Sequence, residues 1–154
     1  MTKKQAEKEA RAEARQKKRH RLFMQRTLNV YSAMRRRADK LKSNAKLVFT
    51  IERFREAVEA KIGTSCRYCG TFLTLKNFSA DHNIPLERGG LWRFSNINII
   101  CRSCNTAKGR MTGDEFWQFM MQLEEFDPVV KNEILGRLKA GASVVRLQFL
   151  RRRH

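Results

Sequence analysis

The chain has 154 residues, with 33 Lys and Arg against 15 Asp and Glu, a formal charge of +18 and a pI near 10.6. That length supports a single domain with a small core, and a charge that extreme calls for a polyanionic partner, nucleic acid ahead of an anionic membrane. No apolar run approaches the roughly 18 residues of a spanning helix, and the N-terminus lacks the apolar stretch of a secretory signal, which predicts an intracellular protein.

Residues 1–46 carry sixteen Lys and Arg against Glu7, Glu9, Glu13 and Asp39. The first twenty are rich in Ala, Glu, Lys, Arg and Gln, composed like an exposed helix or a solvated tail. From Met24 an apolar stripe at helical spacing runs through Leu28, Tyr31, Ala38, Leu41 and Ala45, interrupted by Arg35, Arg36 and Arg37. The segment reads as a basic arm, helical or partly disordered, that lies along phosphates. Thr50 is placed to cap a helix whose inward face is Ile51, Phe54, Val58 and Ile62, with Gly63 at its C-terminal turn. Residues 71–100 read as extended: Phe72–Leu75, a strand around His82, a turn at Gly89-Gly90, then Ile97–Ile100. A short helix is expected from about Asn105 through Lys108, ending near Gly109. Thr112-Gly113-Asp114-Glu115 is a capping box ahead of a core stripe, Phe116, Phe119, Met120 and Leu123. Asp127-Pro128 opens a last helix through Ile134, Leu135 and Leu138 to Gly141, and the chain ends in the basic cluster Arg151–Arg153. Three segments follow: an arm at 1–46, a central module at 47–126, and a C-terminal helix with a basic tail at 127–154.

Two CxxC knuckles frame the central module, Cys66/Cys69 and Cys101/Cys104. Paired knuckles a few tens of residues apart build closed tetrahedral zinc sites, and in a reducing compartment zinc is expected ahead of an iron–sulfur centre or disulfides. A metal also suits a domain with so little core. Four cysteines complete that site, so His82, the one histidine away from the terminal regions, is not needed as a structural ligand. Its ordinary pKa near neutrality suits a general base. Asp81 beside it offers the carboxylate oxygen that a hard divalent cation takes. On a regular strand the two would point to opposite faces, so a bend or a strand end is expected there. Arg102 and Lys108, flanking the second knuckle, are candidate phosphate contacts together with Arg35, Arg36 and Arg37.

The pattern Cys66-x2-Cys69, Asp81-His82-x2-Pro85, Gly89-Gly90, Asn96, Cys101-x2-Cys104-Asn105 and Lys108-Gly109 resembles the zinc-containing, four-cysteine HNH endonucleases over about residues 64–116. The resemblance implies an α+β fold with a ββα-metal core, in which a hairpin and a helix grip one catalytic cation. It makes His82 the general base, Asn96 the central Asn that orients the hairpin or the imidazole, and Asn105 the last position, in an HNN variant. Asp81 and Asn105 would hold magnesium or manganese beside the structural zinc. It also implies cleavage of double-stranded DNA to 5′-phosphate and 3′-hydroxyl ends, in an arrangement loosely like that of freestanding phage-borne enzymes. Cutting both strands with one active site calls for a homodimer or for sequential nicking. Two other readings use the same charge and cysteines: a non-catalytic zinc-stapled DNA-binding regulator, and a protein directed to RNA.

Overall fold

The computed structural model describes residues 2–40 and 46–151, and side-chain environments through residue 141. Leu41 and Ala45 of the expected stripe, Arg152 and Arg153, and the Arg151 side chain lie outside those described residues.

Helix α1 runs unbroken from Lys3 to Lys40, in keeping with its strong helix formers. Every residue from 2 to 22 is exposed. Beyond that point the helix buries Thr27, Met34 and Ala38, with Phe23, Val30 and Tyr31 packed alongside. The buried face therefore differs from the predicted stripe: Leu28 is exposed, and Thr27 takes the inward place. The Thr27 hydroxyl donates to Phe23 O at 2.8 Å and accepts from Arg55 Nε, which is how a polar residue tolerates full burial. Helix α2, Ile51–Lys61, is capped by Thr50 and buries Phe54 and Val58 as its periodicity predicts.

The first knuckle is a tight hairpin. Cys66 N donates to Thr71 O and Gly70 N to Cys66 O, and a single bridge joins Ser65 to Phe72. The expected strand over Phe72–Leu75 does not form. Thr74 N and its hydroxyl both bond Asn77 Oδ1, and that turn redirects the chain at Asn77 before a strand can extend. Strand β1 is Phe78–His82 and strand β2 is Ile97–Cys101, antiparallel with Phe78 opposite Cys101 and His82 opposite Ile97. Between them Gly89 sits at φ +85°, and Gly90 passes so close to the Ile84 carbonyl that an added Cβ would lie 1.9 Å from its oxygen.

Helix α3, Arg102–Lys108, begins three residues earlier than predicted, because Cys101 Sγ caps it by accepting from Cys104 N. The second knuckle is thus the helix's own first turn. Helix α4, Gly113–Leu123, carries the predicted capping box and buries Phe116, Met120 and Leu123. Helix α5 begins at Pro128 as expected but continues to Arg151. Gly141 does not end it, since one glycine costs a helix only about 1 kcal/mol. Ile134, Leu135 and Leu138 of α5 pack on the same core as Met34 of α1, so one core draws on all three expected segments. No described helix is long and apolar enough to cross a membrane.

Candidate active cleft and cysteine cage

Cys66, Cys69, Cys101 and Cys104 converge, all four sulfurs lying within 4.8 Å of one another. A tetrahedral zinc with bonds of ~2.3 Å spaces its sulfurs about 3.8 Å apart, so the cage fits a zinc-type ion. Its electrostatics agree. The Cys66 thiol is held far below its ordinary value by hydrogen bonds from Cys101 and Cys104, while donating to Cys101 and Cys66 holds the Cys104 thiol far above it. Sulfurs this close cannot all ionise alone, and a dication removes that conflict. Cys101 serves three structures at once, as the last residue of β2, a corner of the cage and the cap of α3.

Four residues from that corner along the pairing, the end of β1 opens onto a cleft of about 1070 Å³. Asp81, His82 and Asn105 all line it, with Arg37 from α1 and Arg137 and Leu138 from α5. Asp81 and His82 are neighbours at the end of β1, where His82 is the last residue paired, with Ile97, and both line the cleft. Asp81 is 6% exposed, and its Oδ1 accepts from Lys108 Nζ at 3.1 Å. Burial raises its pKa, and the Lys108 ammonium opposes that rise. Its Oδ2 is buried without a partner among the described residues. The His82 ring meets Trp92 edge-on at 4.4 Å between centroids, and His82 Nε2 is likewise buried and unpaired. Burial, then the positive charges of Lys108 and Arg37, push His82 down to about 4, so the imidazole is neutral at pH 7. Asn105 Nδ2 donates to Ser79 Oγ at 2.6 Å. An acid, an amide and an imidazole therefore line one concavity, residue types that suit a hard divalent cation beside a base.

Asn96 lies outside the cleft and holds the loop that frames it. Its Oδ1 accepts from Ile84 N at 2.8 Å, and its Nδ2 donates to Ile84 O and Leu91 O, both at 3.0 Å. Asn98, two residues on, donates from Nδ2 to Asn83 Oδ1 at 3.2 Å.

The expected phosphate contacts divide. Arg35, Arg36 and Arg102 are exposed, and only Arg37 of the arginine run reaches the cleft. Lys108 is not a surface cation: it is 1% exposed, and its ammonium is held between Asp81 Oδ1 and the His82 carbonyl, the latter at 2.9 Å. Sequence reasoning missed that role, and it missed Trp92, the buried wall behind His82. It also missed Arg88 and Arg110, which line the cleft while paired with Glu115 and Glu87. A lysine four residues after Cys104 carries no mark of burial, so no local signal would have found it.

The HNH endonuclease family model matches residues 66–121, a span that contains the cage, both strands and the cleft residues Asp81, His82, Asn105 and Lys108. No curated protein matches the sequence.

Proposed function

We propose that this chain is a metal-dependent endonuclease that hydrolyses phosphodiester bonds of double-stranded DNA, with β1, β2 and α3 as a ββα-metal core. The observation that carries the reading is a cleft lined by Asp81 and His82, whose Oδ2 and Nε2 are buried without partners among the described residues; Trp92 Nε1, behind His82, is the third such atom and lies off the cleft. Buried polar groups in a folded protein are otherwise nearly always paired, and a site awaiting a cation and a substrate explains both orphans. His82, neutral because it is buried, takes the proton of the attacking water. Asp81 Oδ2 and the Asn105 amide oxygen would hold magnesium or manganese, which supplies charge neutralisation at the scissile phosphate and the leaving 3′-oxygen. Lys108 fixes the Asp81 carboxylate and the strand end, and Asn96 fixes the loop behind the base. Arg37 faces the cleft as a phosphate contact. The cage, filled with zinc, holds β2 and α3 in register and takes no part in the chemistry.

The test is supercoiled plasmid incubated with the full-length, zinc-loaded protein. Relaxed or linear DNA is expected with magnesium or manganese, and none when a mild chelator removes the cation while zinc stays bound. Cutting that persists in chelator would overturn the assignment, and no cutting with any divalent cation would favour a DNA-binding protein without catalysis.

A further inference from the structure

Helix α1 stands away from the rest of the molecule over residues 2–22, all of them exposed. Nine Lys and Arg lie between Lys3 and Arg21. Among the described residues only Lys17 is ion-paired there, with Glu13. Such a helix is costly to leave in water. It buries nothing, its first turn has no acidic residue to complement the dipole, and its like charges repel.

The charges are not spread evenly around it. At about 100° per residue, Lys4, Lys8, Arg11, Arg15, Lys18 and Arg19 fall within an arc of about 100°. Glu9 and Glu13 fall on the opposite half, in line with the buried face formed by Thr27, Met34 and Ala38 further along, and Glu7 sits at the edge of the basic arc. The same arc continues down the helix to Arg26 and Arg37. Arg26 lies against the nuclease module, its Nε donating to Leu75 O at 3.1 Å and its guanidinium stacked over Phe78. Arg37 lines the cleft. One side of a single helix thus forms a basic track that begins at the cleft and leads away from it.

We propose that this face of α1 is the docking surface for the phosphate backbone of the DNA duplex, on one side of the cleavage position only. The proposal rests on the nuclease reading and adds which flank of the substrate is held and how far the contact extends. From Arg37 to Lys4 the helix rises about 50 Å at ~1.5 Å per residue. With phosphates ~3.4 Å apart along a strand, the track reaches about 15 base pairs from the cleft. Contacts of this kind carry no sequence information, so the arm supplies affinity and orientation, not target choice.

Two variants of equal net charge separate geometry from charge. Lys4→Gln/Arg11→Gln/Lys18→Gln removes three charges from the track, and Lys3→Gln/Lys17→Gln/Arg21→Gln removes three from outside it. Binding to a 40-base-pair duplex would be measured without added divalent cation, at several salt concentrations, alongside hydroxyl-radical footprints. Each lost phosphate contact lowers the log–log salt slope by about 0.9, so the track variant is expected to lose about 2.7 and the other far less. The wild-type footprint should extend about 15 base pairs to one side and retract in the track variant. Equal slopes in the two variants would overturn the proposal, as would a symmetric footprint. So would track-dependent binding to phosphatidylserine–phosphatidylcholine vesicles in place of duplex. Plasmid cleavage by the wild type, scored separately, distinguishes these outcomes from failure of the nuclease reading itself.

Discussion

The cysteine cage and the cleft proposed to hold the catalytic cation are joined by five residues of strand, and they are built on opposite principles. The cage uses four copies of one soft ligand whose sulfurs are closed on one another and on neighbouring backbone. The cleft uses an acid, an amide and an imidazole, and it leaves an atom unsatisfied on two of them. A site that closes on itself binds tightly and gives stability. One with atoms left over binds weakly without substrate, and its unmet interactions remain available to the reaction. The first should fail as structure and the second as activity.

The largest effect tests that division directly. Cys66→Ser or Cys104→Ser should unfold the central module, because structural zinc supplies roughly 10–16 kcal/mol in small domains. Circular dichroism and metal analysis would read it, and a folded zinc-free protein with native helix content would break the comparison. His82→Ala should do the reverse: cleavage falls by about 10²–10⁴ while DNA affinity and zinc content hold. A variant that cuts at the wild-type rate removes His82 from the chemistry. The wild-type pH profile sharpens the same point. Burial lowers His82 to about 4, so the base stays neutral above that pH and is lost only as pH falls through it. The acid limb of kcat/KM should therefore lie well below 6.5, and a limb at 6.5 would mean the imidazole is as hydrated in solution as a free one.

Lys108→Met straddles the two principles, since it strips a buried carboxylate of its counter-ion. It should cost about 3–5 kcal/mol in denaturant unfolding. Adding Asp81→Asn should restore much of that stability without restoring cleavage. If the single variant is as stable as wild type, Asp81 is not held as the 3.1 Å contact indicates. The smallest effect is at the loop. Asn96→Ala removes three hydrogen bonds from an exposed loop, where water takes up the freed groups, and should cost about 0.5–1.5 kcal/mol, read as a midpoint shift with the zinc retained.

What was legible in the sequence was local. The knuckles, the Asp81-His82 pair, the Thr112 capping box and the inward faces of α2 and α4 all depend on spacing within a few residues. What was not legible depends on contacts between distant elements. Lys108 looks like any solvated lysine until the fold sets it 27 residues from its partner in sequence and 3.1 Å away in space. Thr27 rather than Leu28 is buried because it shares the docked face of α1 with Met34 and Ala38, and Arg55 of α2 reaches its hydroxyl there. Arg37 differs from Arg35 and Arg36 only in the direction it faces once α1 is docked. Asn105 and Asn96 could be selected by pattern, but their separate duties, one in the cleft and one in the loop, required the register of β1 against β2.

The position of Lys108 also sets an order of events during synthesis. Translation delivers Asp81 and His82 first, then the cage, complete at Cys104, and only four residues later the ammonium that accommodates Asp81 in the interior. A nascent chain can thus capture zinc and align its hairpin while the carboxylate is still uncompensated. The cleft is complete only later still, when α5 supplies Arg137 and Leu138 to its wall. The polar side chains at the floor of the cleft are thus made before the α5 residues that wall it in.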